Sequence, residues 1–183
     1  MKVGLRYLGG AIPNEDIEDY KRLMKEHDLD FKAHDYAGIP QASFDEISGV
    51  ISILLGTSLV STFVQSIGTN ATWDAIKIMV KKVWLTTHGQ KYSKVTSRGV
   101  EEKEVTISVR ANLKTDEYFF KINGLKDSDE LDRAMDKILT HLEAQKSKND
   151  NNKVFEVNFD GENKEWISKD FLKEIMEKKK KSN

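Results

Sequence analysis

The sequence contains no cysteine and only two prolines among its 183 residues. Without cysteine the chain cannot form a disulfide scaffold, a thiolate zinc site, an iron–sulfur centre or a catalytic thiol. Residues 1–10 lack the apolar core and cleavage site of a signal peptide, so we expect a cytoplasmic protein. No motif indicates a cofactor, and none is expected.

The chain also lacks an excess of either charge. Its 29 basic and 30 acidic residues nearly balance, so we expect no nucleic-acid partner held by overall positive charge. The hydrophobic fraction of 38% is sufficient for a folded core. The length allows one domain, alone or with a small appendage.

The spacing of apolar residues predicts most of the secondary structure. Strict alternation indicates strands, and apolar positions three and four apart indicate helices. Asp127 followed by Glu130 resembles a capping box that opens one helix. The predicted strands are 2–8, 29–34, 105–111, 118–122 and 154–159, and the predicted helices are 14–25, 44–67, 70–84, 127–142 and 168–181.

This order of elements predicts an α+β fold. We expect a mixed sheet of four to five strands in βαβ-αα-ββα order, with helices mainly on one face. The first strand–helix–strand unit is normally parallel and right-handed. The polar residues 147–152 are typical of a linker. They would separate a domain at 1–146 from a small C-terminal strand–helix appendage at 153–183.

A long stretch, residues 47–73, contains no charged residue, although 32% of the chain is charged. We interpret residues 48–67 as a helix sheltered by protein, because its polar side chains gather on one side. A self-association or partner surface is therefore expected at Val50, Ile53, Leu59, Val60, Phe63, Val64 and Ile67. The stretch is also long enough to cross a bilayer. Membrane association from the cytoplasmic side is thus the alternative.

A basic segment follows at residues 74–98, with six basic residues and one acidic residue. Such a segment can form a surface for an anionic partner. We favour the simpler interpretation, the solvated face of an amphipathic helix followed by a loop. The candidate residues for an anionic partner are Lys77, Lys81, Lys82, Lys91, Lys94 and Arg98.

No pattern indicates a catalytic or metal site. The four histidines form no metal-binding signature with a neighbour. The glycine pair 9–10 lies between a strand and a helix, but Glu15 and Asp16 would repel a phosphate at that helix start. We therefore expect no catalytic, cofactor-binding or metal-binding residues. An enzyme with an unrecognised dispersed site stays open as an alternative.

Residues 1–146 resemble a known family in the order of their elements. The stretches that carry the resemblance are MKVGLRYL, IPNEDIEDYKRLMKEHDLDF, ISILLGTSLVSTFVQSI running on to KKVW, and EVTISVRANLKTDEYFFKINGL. In this order they look like the effector-associated constant component family of bacterial conflict and immunity gene clusters. The resemblance implies a non-catalytic coupling component that links a sensor or protease-like module to an effector. It assigns no functional residue.

These observations predict a non-enzymatic adaptor. We expect it to act through protein–protein contacts and self-association, in a bacterial conflict or anti-phage defence system. Its partner would be another protein, a second copy of the chain, or both.

Overall fold

The computed structural model describes residues 1–36, 50–65, 71–96, 99–122, 124–146 and 152–181. These residues form nine strands and five helices. The strands are β1 (Lys2–Tyr7), β2 (Asp30–Asp35), β3 (Ile51–Leu55), β4 (Lys91–Thr96), β5 (Gly99–Glu104), β6 (Ile107–Leu113), β7 (Asp116–Lys121), β8 (Val154–Asp160) and β9 (Glu165–Asp170). The helices are α1 (Asn14–Glu26), α2 (Thr57–Gln65), α3 (Ala71–Thr87), α4 (Ser128–Gln145) and α5 (Phe171–Lys181).

Seven of the strands form one mixed sheet in the order β2-β1-β3-β6-β7-β8-β9. The pairs β1–β2, β3–β6 and β7–β8 are parallel, and the other neighbours are antiparallel. Helices lie between the strands of each parallel pair in the sequence, because parallel strands need a crossover rather than a tight turn. The predicted α+β class is confirmed, but four to five strands was too low a number.

One face of the sheet carries the hydrophobic core. A single row of fully buried side chains crosses five neighbouring strands in register: Leu5, Ile53, Val109, Phe120 and Val157. The helices add fully buried residues to the same cluster, among them Tyr20, Leu59, Ile76 and Leu131. In the strands other than β3, this face follows from the alternation of apolar residues along the strand.

The prediction of one helix over residues 44–67 was wrong. Residues 51–55 form the central strand β3, and helix α2 begins only after Gly56. The β-branched residues Val50, Ile51 and Ile53 favour a strand. Because β3 lies between two other strands and four of its five residues are buried, it does not alternate with charged residues. Residues 44–49 and 66–67 of the predicted helix lie outside the described residues.

The residues predicted as a C-terminal appendage extend the same sheet. β8 pairs in parallel with β7, and β9 forms the edge. Trp166 of β9 belongs to the core, and its indole N–H donates to the Ala134 carbonyl at 2.8 Å. The last helix begins at Phe171 rather than near Ser168, which lies in β9. Except for residue 152, the predicted linker lies outside the described residues.

Candidate binding surfaces

The residues predicted to form a partner surface lie in the interior of the domain. Six of the seven are described, and none of them is more than 4% exposed: Val50, Ile53, Leu59, Val60, Phe63 and Val64. Ile67 lies outside the described residues. The six side chains pack in one cluster with β1 and β6. The chain itself therefore shelters these six residues of the charge-free stretch, which leave almost no surface for a partner.

The alternative of a membrane-inserted helix required residues 48–67 to be helical throughout. Strand β3 occupies 51–55, and α2 has nine residues, whereas a spanning helix needs about 20. No helix within the described ranges has the length and apolar character needed to cross a membrane.

Two of the three basic residues of α3 are paired with acidic residues of the chain. Lys77 Nζ lies 2.8 Å from Asp136 of α4 and 3.1 Å from Asp74. The pKa of Lys77 is raised, chiefly by its hydrogen bond to Asp136. Lys81 Nζ lies 2.6 Å from Asp132, one turn earlier in α4. Lys77 and Lys81, which are candidates for contact with an anionic partner, thus connect α3 to α4.

The other four basic candidates are Lys82, Lys91, Lys94 and Arg98. Lys91 belongs to β4 and lies 3.6 Å from Glu102 on the opposite strand. Lys82 is exposed on α3. Arg98 and the side chain of Lys94 lie outside what the structure describes. The five candidates with a described backbone are therefore divided between α3 and β4, and acidic residues of the same chain pair with three of them.

The second face of the sheet is polar, and we call it the polar face. From β2 to β7 it carries His34, Arg6, Ser52, Ser108 and Lys121 in one row. Ser52 and Ser108 are buried in the middle of the row, and their hydroxyl oxygens are 3.3 Å apart. A mutual hydrogen bond offsets the cost of removing both hydroxyls from water.

A groove of about 420 Å³ lies on the polar face across β2, β1, β3 and β6. Its floor is Gly4 and Leu54, which pair in register. A Cβ atom at Gly4 would lie 3.0 Å from Leu54 Cδ1, so the missing side chain is what lets Leu54 cover this position. The groove walls carry the side chains of Lys2, Asp30, Lys32, His34, Arg110 and Asn112, and Gly56 and Thr57 close one end.

Near the opposite edge of the polar face, Glu156 is held by two donors. Its carboxylate lies 3.1 Å from Lys121 Nζ and accepts a 3.0 Å hydrogen bond from the Asn158 amide. Partial burial acts to raise the pKa of Glu156, but these two donors outweigh it and the pKa is lowered. The folded state therefore favours the ionised carboxylate.

We expect Glu156→Gln to destabilise the protein more at neutral pH than at about pH 3. The folded-state pKa lies below the ordinary value of 4.5. The contribution of the carboxylate is therefore fully present above that value and is lost as the pH falls through the folded-state pKa. Urea unfolding of both proteins at the two pH values measures the difference. Glu165→Gln, at an exposed position of β9, is the control. An equal loss at both pH values would contradict the assignment.

Strands β4 and β5 form a hairpin outside the main sheet. Tyr92 and Val105 pack against the core and anchor its base. All six residues of β5 are exposed, and Val100 is 68% exposed. The sequence analysis expected a loop after the preceding amphipathic helix and gave no sign of a second sheet, because polar residues in alternation do not specify a partner strand.

The register of the hairpin shows which backbone groups face outward. The N–H of Val105 donates to the Gln90 carbonyl, which makes 90 and 105 a hydrogen-bonded pair. Hydrogen-bonded and non-hydrogen-bonded pairs alternate in an antiparallel ladder. By that alternation and the register, the backbone N–H and C=O groups of Val100, Glu102 and Glu104 point away from β4. No other strand of the described ranges pairs with them, so they form a free strand edge there.

A serine–histidine pair joins α4 to β9. His141 Nε2 and Ser168 Oγ are 2.6 Å apart, a contact that their separation of 27 residues did not indicate. Nucleophilic catalysis would also require an oxyanion site and room for a substrate. The imidazole ring instead packs edge-on against Phe120 at 5.7 Å, and neither residue lines the groove. We interpret the pair as a packing contact.

A second cavity, of about 180 Å³, lies at the base of the hairpin. His88 and Glu104 are among its lining residues, and the His88 ring lies 4.3 Å from Trp84. Within the described ranges, no three histidine, aspartate or glutamate side chains are placed to hold a metal ion. The cavity therefore offers one imidazole and one carboxylate without a metal cluster.

Comparison of the chain with family models, curated proteins and solved structures finds no match. The resemblance to the effector-associated constant component family stays a prediction. Two surfaces of the described residues are left as candidates for binding, the free edge of β5 and the groove on the polar face.

Proposed function

We propose that this chain is a non-enzymatic interaction component that binds a protein partner by strand addition to β5. The observation that carries the proposal is the β4–β5 hairpin, a separate two-stranded sheet with one fully exposed strand. A two-stranded hairpin by itself is only marginally stable in water. An extended segment of a partner would satisfy the outward backbone groups and stabilise the hairpin.

The charges of β5 indicate the chemistry of that segment. β5 carries three glutamates and one lysine. Val100, Glu102 and Glu104 lie on one face of the hairpin, because side chains alternate along a strand. A complementary segment would place basic side chains beside Glu102 and Glu104 and an apolar side chain beside Val100.

The same charges disfavour symmetric pairing of two copies through this edge. A two-fold axis would bring the β5 strands of two copies together in antiparallel fashion. Glutamates would then face glutamates, and directly opposed like charges destabilise a strand pair. The proposed partner is therefore a different protein with a basic extended segment.

This mode of binding agrees with the class of function that the family resemblance implies. A coupling component needs a surface that holds another protein without chemistry. Strand addition provides affinity through main-chain hydrogen bonds and specificity through alternate side chains. In the proposal, the chain is an adaptor that links a partner to an effector.

A photo-crosslinking residue at position 100 tests the proposal in cells. We expect Val100→p-benzoylphenylalanine to give one adduct whose crosslinked peptide, sequenced by mass spectrometry, is rich in basic residues. Adding Glu102→Lys and Glu104→Lys should lower the adduct yield about tenfold, which corresponds to about 1.4 kcal/mol of binding free energy. Glu101→Lys, whose side chain lies on the other face of the hairpin, is the control for reversing a charge on the same strand.

Crosslinking from position 85 provides a second control. Leu85 is also apolar and exposed, but it lies on α3. Equal adduct yields from positions 85 and 100 would contradict a specific edge. No adduct from position 100, or a yield unchanged by the charge reversal, would mean that the glutamates only protect the edge from aggregation.

A further inference from the structure

A third surface, the outer edge of β2, is also left open by the sheet. β2 is the first strand of the main sheet, and within the described ranges it pairs only with β1. The Asp30 N–H donates to the Met1 carbonyl, so the backbone groups of Asp30 face the β1 side. Successive residues of a strand direct these groups to opposite sides. The N–H and C=O groups of Phe31 and Ala33 therefore point outward, away from β1.

The side chains of β2 form two rows. Asp30, Lys32 and His34 are exposed on the polar face. Phe31 and Ala33 lie on the other face, where they are half-buried against the core cluster and α1 packs against the strand. Asp30 and Lys32 make no ion pair with a described residue. Their two opposite charges are therefore available to a partner strand.

Two copies of β2 in antiparallel pairing complement each other. When a two-fold axis passes between the two copies of Phe31, Asp30 of each copy faces Lys32 of the other. The two phenylalanines then form a hydrogen-bonded pair, because their backbone groups point outward. Each Asp30–Lys32 contact falls on a neighbouring non-hydrogen-bonded pair, where opposed side chains are closest. Opposite charges and aromatic rings in direct opposition both stabilise a strand pair.

Other two-fold registers lack this match. An axis at Asp30 or at Lys32 places that residue opposite its own copy, so like charges meet. An axis at Ala33 places Lys32 opposite His34 and Phe31 opposite Asp35, which leaves the lysine without a carboxylate. The charges of β2 therefore select the axis at Phe31.

From this self-complementarity we infer that the chain forms a two-fold dimer through β2. The partner at this edge is a second copy of the chain, and the two seven-stranded sheets join into one continuous sheet. The charge pattern is the reverse of that on β5, where the same symmetry would place glutamates against glutamates. The dimer uses a different strand from the proposed partner surface and does not depend on it.

Sedimentation equilibrium of the full chain at about 1 to 500 µM tests the inference. We expect a reversible equilibrium between monomer and dimer. Lys32→Asp would place an aspartate opposite Asp30 at two symmetric positions, so it should raise the dissociation constant of the dimer about tenfold or more. Adding Asp30→Lys to the same chain exchanges the two charges and restores both opposite-charge pairs. The exchanged protein should therefore dimerise again.

Lys169→Asp is the matched control for Lys32→Asp. Lys169 is an exposed lysine on the polar face of β9, at the opposite edge of the sheet, so its reversal should leave the dimer unchanged. The combined Glu102→Lys and Glu104→Lys variant of β5 should also dimerise normally, which lets the two proposals fail separately. Thermal unfolding of each variant checks the fold, since Asp30→Lys places a lysine beside Lys2 of β1.

Three results would overturn the inference. A monomer at every concentration would mean that the charges of β2 only protect an edge from aggregation. A dimer that Lys32→Asp does not weaken, or that the exchange does not restore, would place the contact on another surface or in another register. An open-ended series of larger species would mean that β2 meets a different edge of the next copy.

Discussion

Leu59→Asp is expected to unfold the protein. Leu59 is fully buried in α2, which packs against β6 and α4. The change removes a buried leucine, and it places in the core a carboxylate that has no cationic partner in that apolar cluster. Together these effects should lower the free energy of unfolding by about 5 kcal/mol or more. That amount is comparable to the whole stability of a typical domain.

Circular dichroism and urea unfolding of Leu59→Asp measure this effect, with Ser58→Asp as the control. Ser58 is the exposed neighbour in the first turn of the same helix. An acidic residue there should be neutral or slightly stabilising, by about 0.5 kcal/mol, because of the helix dipole. If Leu59→Asp instead gave a folded monomer that no longer self-associates, α2 would be an assembly surface, as the sequence analysis expected.

Trp166→Ala is expected to destabilise the entire sheet, not only its C-terminal edge. The Trp166 ring packs edge-on against Phe120 of β7 and Phe159 of β8, with ring centroids 5.1 Å apart in both cases. Its indole N–H also bonds to the Ala134 carbonyl in α4. Loss of the packing and the cavity that remains should cost about 4 kcal/mol.

Urea unfolding and hydrogen exchange of the β7 amides measure the Trp166→Ala effect. Ile167→Ala is the control, because Ile167 is the next residue of β9, points to the other face and is 43% exposed. We expect it to cost less than about 1 kcal/mol. If Trp166→Ala left the β7 amides fully protected, residues 153–183 would be an independent appendage, as the sequence analysis expected.

Several elements could be predicted from local sequence because their signals are local. The alternation at 105–111 predicted β6 and that at 118–122 predicted β7, and the two strands pair in antiparallel register. The capping interaction of Asp127 is also confirmed, since its carboxylate accepts the Glu130 N–H at 2.8 Å. Glu130 in turn accepts from the Lys126 N–H, one residue before the position that a capping box predicts.

The failures concern residues whose surroundings come from distant parts of the chain. The sequence of β3 does not alternate between apolar and polar residues. β1 and β6 pair with its two edges, and both of its faces are largely buried. Its sequence therefore matches a buried helix equally well. The basic character of residues 74–98 could not reveal the carboxylates of α4 and β5, which the fold brings next to Lys77, Lys81 and Lys91.

The candidate groove was beyond prediction for the same reason. Its lining residues come from β1, β2, β3, β6 and the beginning of α2. Only strand order and register bring Lys32 and Arg110 to the two sides of Gly4 and Leu54.

By itself, the sequence determined the α+β class, most element positions and the need to shelter the charge-free residues 47–73. These follow from short-range periodicity and from the cost of exposing apolar side chains to water. The tertiary structure decided that β3 and α2 are covered by this chain itself, that β8 and β9 extend the main sheet, and that β5 keeps a free edge. Such outcomes depend on which strands pair, and pairing is set by long-range contacts that no local pattern encodes.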